Sequence, residues 1–451
     1  MVSKARVILL GATVSIGKKC FCVTRSKFKL QILTTFLAYI SWGLLLSLQP
    51  AFYPIEAESK GATPSQYGLV FGIVSLAAFI FSPIYAHFGA KIGPKLLYNV
   101  GGFVQGISGV AFGSLEYIND TWTFIGLSYF LRFIDGVANA ACAATIVSIL
   151  MTLIPGSESS ITAWTEMCLG LGYMIGPVLG SLLYESGGFG LPFYIVGGII
   201  IVLAFALLLI VPKVQPGTVV KSHESVDDSK PSLTLTNVAT SFSLTLPFVD
   251  NFALLCGNGM IESLLQPHMR KSKAQATQFD VSMAFLIMSA FYIVTTPVAG
   301  YVCDRIKSPI LFSIAGNFSM MIGFLFIGPV PFLAPLSPSV PLILGIMPFF
   351  GLGYGFVLVS SFSRAYKESV QQGYRNDVNT YLVLTGLWNA SFHLGNFVGP
   401  TVAGFIVDAI GFAQTSQISV VIFLIMALGD SIQYYFKVRR PKKQTDYENL
   451  S

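Results

Sequence analysis

Apolar stretches of about 20 residues, each long enough to cross the hydrocarbon core of a bilayer, recur twelve times along the chain. They fall near residues 30–53, 66–88, 96–115, 122–153, 162–184, 191–211, 237–265, 281–303, 309–331, 340–362, 380–406 and 417–436. Short polar connections separate them. The one long interior break runs from Lys213 to Asn237 and contains KSHESVDDSKPS, the composition of a flexible linker. This pattern predicts an all-α polytopic membrane protein with twelve transmembrane helices in two six-helix bundles. Its parts are an N-terminal arm (1–29), a first bundle (30–211), a linker (212–236), a second bundle (237–436) and a tail (437–451).

Two stretches of that pattern occur twice. Ser157 to Phe189 reads SESSITAWTEMCLGLGYMIGPVLGSLLYESGGF, an apolar run in which small residues let a neighbouring backbone approach closely. Asn396 to Phe412, NFVGPTVAGFIVDAIGF, repeats its landmarks, and Gly176-Pro177 and Gly399-Pro400 lie 223 residues apart, about half of 451. A second match pairs SPIYAHFGAKIGPKLL (Ser82 to Leu97) with TPVAGYVCDRIKSPIL (Thr296 to Leu311), 214 residues apart. Similar offsets for independent matches predict a duplication, two parallel repeats related by an axis along the membrane normal. Gly176, Pro177, Gly399 and Pro400 are therefore expected at conformationally important crossings.

Composition narrows the classes. With 53% hydrophobic and 11% charged residues and a mean hydropathy of +0.70, the chain departs from soluble domains, which carry about 25% charged residues. Of the 27 Lys and Arg, 22 fall outside the spans on the side of the two termini. Four (Lys60, Arg270, Lys271, Lys273) fall on the other side, and Arg132 lies inside a span. By the positive-inside rule both termini and the linker are expected in the cytosol. The net charge of +6 thus reads as topology rather than as a nucleic-acid surface. The six cysteines suggest no disulfide framework. No phosphate-binding loop, metal cluster or catalytic triad pattern occurs, so neither an enzyme nor an ATP-driven pump is expected, and no cofactor.

Ionisable groups within membrane spans are expensive and mark transport pathways. Glu166 stands alone in the fifth span, and Glu262 lies in LCGNGMIESLLQP of the seventh. Both are candidates for cation binding and proton coupling. Arg132 and Asp135 are three apart and share a helix face. They form either a proton relay or gate or a structural pair, and the sequence leaves both readings open. Asp250 is a further candidate for lining the path. Asp430 stands in the last span, a peripheral one, and is assigned no role. Tyr173, Tyr354, Tyr381, Trp388 and Phe392 are aromatic candidates for cation contact, and His393 is a titratable neighbour. Asn119-Asp-Thr121 is a glycosylation sequon in a short loop on the side away from the termini.

These residues carry a family resemblance over about residues 30 to 436. Gly300-Tyr-Val-Cys-Asp304-Arg305 resembles the loop signature of the major facilitator superfamily, whose first copy here departs from it with Ala86, Ala90 and Lys91. The fifth span is similar to that superfamily's antiporter signature, and Arg132-Phe-Ile-Asp135-Gly136 to its Arg-x-x-Gln-Gly element. Within the superfamily the chain resembles the vesicular amine transporters, and most of all the polyamine branch, through AFYPIEAESKGAT, FLRFIDGVANAA, TEMCLGLGYMIGP and IGPVPFL. The resemblance implies a proton-coupled antiporter loading organic cations, polyamines such as spermine and spermidine first, into acidic vesicles or endosomes. It implies a small organic cation, a proton and the lipid bilayer as partners, and a conformational charge network for Asp304 and Arg305. A monoamine or cationic-drug antiporter is the alternative, and a non-transporting scaffold or receptor with this fold is a second. The acids that the catecholamine and acetylcholine branches carry in spans one, ten and eleven are absent. Tyr447-Glu-Asn-Leu450 resembles the tyrosine-based signal read by clathrin adaptors, which adds such an adaptor as a partner.

Overall fold

The computed structural model describes residues 18–153, 158–210, 231–271, 276–306, 308–328, 339–375 and 378–439. The first bundle consists of α1 (Lys18–Leu48), α3 (Pro64–Ile92), α4 (Pro94–Gly113), α5 (Thr121–Leu153), α6 (Glu158–Gly187) and α7 (Gly190–Ile210). The second consists of α9 (Phe242–Lys271), α10 (Gln278–Arg305), α11 (Ile310–Ile327), α12 (Val340–Gln371), α13 (Val378–Ile410) and α14 (Phe412–Arg439). Two short helices, α2 (Tyr53–Ser59) and α8 (Leu235–Thr240), precede α3 and α9. Ten of the helices are long and apolar enough, among the described residues, to cross a membrane. The other two long ones, α4 and α5, pack between α3 and α7 in the same layer. Helix α1 starts at Lys18, twelve residues ahead of the apolar span, because KKCFCVTRSKFK contains neither Gly nor Pro to stop it. Most of the expected linker and tail lie outside the described residues.

The duplication predicted from sequence reappears as packing. In the first bundle α1 lies on α6, α3 on α5, and α4 on α5 and α7. In the second, α9 lies on α13, α10 on α12, and α11 on α12 and α14. Glycines fix the register of these crossings. Gly136 of α5 seats its backbone on the Val74 carbonyl and Ala77 of α3, and Gly351 of α12 does the same on Met288 and Phe291 of α10. Gly101 of α4 meets Ala138 and Cys142 of α5, and Gly316 of α11 meets Gly353 and Val357 of α12. Both pairs of equivalent glycines are 215 residues apart.

The Gly-Pro helices make the tightest seams. Gly172 and Gly176 of α6 press on Ile40, Gly43 and Ser47 of α1, whose Ser47 hydroxyl donates to the Gly172 carbonyl at 3.1 Å. Gly395 and Gly399 of α13 press on Phe252, Leu255 and Cys256 of α9. A methyl group at Gly399 would come within 2.8 Å of three backbone atoms of Cys256. Backbone cannot move aside as a side chain can, so Gly399→Ala is expected to cost about 1–3 kcal/mol through overpacking. A lower midpoint in thermal unfolding of the detergent-solubilised protein checks this, with Gly386→Ala, which meets nothing within 4 Å, as the control.

The bundles join where α3 lies on α13 and α6 on α10. Gly68 and Gly72 of α3 pack on Phe397, Pro400 and Thr401, and Gly404 packs on Pro64 and Ser65. Polar contacts lock the same end. Lys271 pairs with Glu58 at 2.8 Å, the Ser65 amide donates to Asp408 at 2.9 Å, Ser282 donates to the Pro177 carbonyl at 3.1 Å, and Gln278 donates to Ser181 at 3.3 Å. All lie toward the membrane face opposite the termini. The bundles are closed there.

Candidate functional site

The site begins with two charges on one face of α5. Arg132 and Asp135, a turn apart, pair through Nη1 and Oδ2 at 2.6 Å, with 5% and 4% of their side chains exposed. Buried charge persists only when paired. The adjacent Gly136 brings this turn of α5 against α3, and Gln105 of α4 sits beside Asp135. Tyr53, at the start of α2 and wholly buried, donates to Ser128 one turn above Arg132 at 2.9 Å.

The second bundle adds the acid. Glu262 of α9 is partly exposed, accepts from Asn258 Nδ2 at 2.8 Å and lies within the electrostatic reach of Arg132 across the bundle interface. Tyr173 of α6 and Tyr53 also fall within that reach. Counted along their helices from the closed face, Arg132 is 11 residues deep and Glu262 nine, or roughly 16 and 14 Å at 1.5 Å per residue. The Glu262 carboxylate thus approaches, from the second bundle, the guanidinium–carboxylate pair buried at the edge of the first, about a third of the way along these helices from the closed face, with Tyr53 packed inside the first bundle. Such a set suits a cation and an exchangeable proton, because the Arg132 charge is already matched by Asp135 while Glu262, among the described residues, accepts a hydrogen bond from the Asn258 amide and forms no ion pair.

Other sequence candidates fall elsewhere. Glu166 belongs to α6, but its side chain lies outside the described residues. Its backbone is 21 residues from the closed face, which separates it from Glu262 by roughly 18 Å along the helix axes. The two acids therefore stand at different depths, on either side of the middle of their helices. Tyr354 of α12 packs edge-on against Tyr292 of α10, with ring centroids 4.9 Å apart, near the α6–α10 junction. Trp388 stacks on Phe392 at 5.7 Å and donates to Ser361 at 3.1 Å, deep in the terminal half of the second bundle. His393 is half-buried with its ring edge-on to Phe392.

Asp250, expected to line the path, is instead fully buried within the second bundle. Its Oδ2 pairs with Arg364 of α12 at 3.0 Å, and Arg364 also pairs with Asp430 of α14 at 2.7 Å and donates to Gln433 at 2.8 Å. The tenth apolar stretch ends at 362, which places Arg364 in a loop by hydropathy alone. The helix continues to Gln371, and the arginine is 1% exposed. The signal available was Asp430: an acid in an apolar last span requires a buried cation.

Of the loop signature, the Arg305 guanidinium lies 3.8 Å over the Tyr301 ring, whereas the Asp304 side chain lies outside the described residues, as do the side chains of Ala86, Ala90 and Lys91. Lys367 donates to the Cys303 and Ile306 carbonyls at 2.6 and 2.8 Å, capping the end of α10 at this motif. Asn119 is exposed, and the Thr121 hydroxyl of its sequon donates to the Lys60 carbonyl. Tyr381 (side chain), Tyr447 and Leu450 lie outside the described residues.

The comparisons agree with this architecture. Residues 32–384 match the model of the Major Facilitator Superfamily. The human MFS-type transporter SLC18B1 is 28% identical over 407 residues, covering 90% of this chain and 86% of that protein. The Escherichia coli multidrug resistance protein MdtG is 25% identical over 417 residues, covering 90% and 94%. Among solved structures, an inward-facing, occupied bacterial homologue of the human lysosomal transporter Spinster superposes with a TM-score of 0.70 at 13% identity, covering 91% of this chain and 98% of that one. A nucleoside transporter NupG variant gives 0.69 at 15%, covering 90% and 100%. The chain is a multi-pass membrane transporter, not an enzyme, and it belongs to the Major Facilitator Superfamily.

Proposed function

We propose that this transporter is a proton-coupled antiporter that loads organic cations, polyamines such as spermine and spermidine foremost, into acidic vesicles or endosomes. The observation that carries the reading is the convergence of Glu262 with the Arg132–Asp135 pair and Tyr53 and Tyr173 between the bundles. Glu262 receives either an ammonium group or a proton. Delivery of a proton from the acidic interior displaces the cargo, and rocking of the 30–211 bundle against the 237–436 bundle changes which side the site faces. The depth difference between Glu166 and Glu262 favours an extended cation, whose amines meet acids at successive levels, over a compact one. With the termini, the 212–236 linker and the 437–451 tail in the cytosol, as the charge bias predicts, the closed face is luminal and the conformation is inward-facing. In that orientation Asp304 and Arg305 act as a conformational latch at the cytosolic end. Asn119 is then a luminal glycan acceptor, and Tyr447 and Leu450 are available to a clathrin adaptor.

The similarity to a multidrug resistance protein favours a second reading, export of cationic drugs or monoamines by the same proton exchange. Uptake of radiolabelled spermine by the purified protein in liposomes, with and without an acidic interior, tests the first reading. Accumulation that requires the gradient and collapses with a protonophore is expected. Competition by a compact monoamine stronger than that by unlabelled spermine would transfer the assignment to the second reading. Absence of any gradient-driven flux from folded protein would favour the scaffold.

A further inference from the structure

The site between the bundles uses none of the charges buried inside the second bundle. Asp250 of α9, Asn317 of α11, Arg364 of α12 and Asp430 and Gln433 of α14 form one network. Arg364 pairs with Asp250 at 3.0 Å and Asp430 at 2.7 Å, and Asn317 Nδ2 donates to Asp430 at 3.1 Å and to Asp250 at 3.4 Å. Asp250, Asp430 and Asn317 are 0% exposed and Arg364 1%. Two carboxylates face one guanidinium, so the fully ionised network would hold an uncompensated negative charge in a membrane-embedded bundle, an arrangement of high energy.

Among the described residues, neighbouring groups do not supply the missing charge. Glu368, one turn from Arg364 on α12, pairs at 2.8 Å with Lys437, two turns from Asp430 on α14. On α9, Asn251 turns to the Trp388 carbonyl and Ser391 of α13, at 3.2 and 2.8 Å. On α11 and α12, Ser313 and Ser360 bond each other at 2.8 Å. Neutrality therefore requires one proton, shared between Asp250 and Asp430.

The repeat indicates that packing alone does not call for this network. The glycine registers equate Asn317 with Gly102 and Arg364 with Ile149, and the Gly-Pro offset equates Asp430 with Leu207. The α1–α6 and α9–α13 seams equate Asp250 with Ala38. In the first bundle, then, the four equivalent positions carry no charged or polar side chain. Ile149 and Leu207 are buried in one hydrophobic cluster with Ala38 packed against it. Ala38, Gly102 and Leu207 also line a cavity of about 20 Å³ there.

We propose that Asp250, Asp430 and Arg364 form a proton-binding site inside the second bundle, which takes up one proton and releases it as part of the transport cycle. Lys437, 24% exposed, lies seven residues beyond Asp430 on α14 and brings water on the side of the termini to within two helical turns of it, roughly 10.5 Å. The proton leaves to that water when α12 and α14 part, and the remaining carboxylates then share Arg364 with a net negative charge until reprotonation. The occupancy of the site by a proton is independent of the antiport reading; only its role in coupling rests on it.

Infrared difference spectroscopy of the reconstituted protein tests occupancy, since a protonated carboxylic acid has a carbonyl stretch that carboxylates lack. A buried-acid band in the wild type that disappears in Asp430→Asn or Asp250→Asn is expected. Its absence from the wild type, or its survival in both variants, would overturn the proposal. Coupling is read separately in the same liposomes with radiolabelled spermine. Asp430→Asn should keep spermine–spermine exchange within about twofold while losing at least tenfold of gradient-driven accumulation. If that variant accumulates spermine like the wild type, the site holds a proton but does not couple it, and the coupling half of the proposal fails. If the wild type shows the band but no gradient-driven flux, the antiport reading fails while the proton site stands.

Discussion

Arg364→Leu is expected to lower the unfolding free energy by about 3–5 kcal/mol, the usual cost of removing one partner from a buried ionic network. The residue holds Asp250, Asp430 and Gln433 from α12. Its loss leaves two acids facing each other with Asn317 as their shared donor. Arg364→Lys should recover only part of the loss, because a single ammonium cannot reproduce the planar fork that serves α9 and α14 together. The repeat supplies a stronger test. Arg364→Ile combined with Asp250→Ala, Asp430→Leu and Asn317→Gly copies the apolar first-bundle counterpart and should restore most of the stability, as hydrophobic replacement of buried ionic networks can. The protein carries its own reporter. Cys142 and Cys168 are buried thiols and react with a thiol-specific fluorophore when the helices come apart. A midpoint for Arg364→Leu equal to that of the wild type would show that the network contributes nothing to holding α9, α12 and α14 together.

Much of this architecture was readable from the chain because membrane helices announce themselves by length and apolarity. The duplication was readable because Gly-Pro seams cannot drift without loss of backbone contact, and Gly176 and Gly399 occupy equivalent crossings. The site was only partly legible. Arg132, Asp135 and Glu262 stand out as charges within apolar runs, and the structure brings them into one region. Arg364 escaped because apolar periodicity fades at Ser360-Ser361, where polar side chains bond to the bundle interior rather than to water. A span boundary drawn by hydropathy stops there, nine residues short of the helix end at Gln371. The depth of Glu166 relative to Glu262 was likewise hidden, since no count along either helix says which turn of one faces which turn of the other. Asp250 and Asp430 are 180 residues apart in sequence, and only the packing of α12 and α14 on α9 and of α14 on α11 makes them one group with Arg364.

Glu262→Gln is expected to remove at least tenfold of gradient-driven spermine accumulation while leaving the fold intact. The loss of a charge-assisted contact to an ammonium group amounts to about 1.5–3 kcal/mol, or roughly ten- to a hundredfold in affinity. The fold should tolerate it because Asn258 Nδ2 donates to Glu262 Oε1 at 2.8 Å, and the glutamine carbonyl accepts that bond equally well. The pH dependence separates a proton–cation exchange site from a passive cation contact. In the wild type, cation and proton compete for one carboxylate, so spermine binding weakens as pH falls. In the glutamine variant nothing at this position titrates, and the residual binding should lose that slope. Glu262→Asp keeps the charge but withdraws it by one methylene from Arg132 and Tyr173, so it should retain the slope with weaker binding throughout. Equal accumulation by wild type and Glu262→Gln would remove this acid from the exchange. The cargo would then have to be held by acids nearer the side of the termini, and the convergence of Glu262 on Arg132 would be a matter of packing between the bundles.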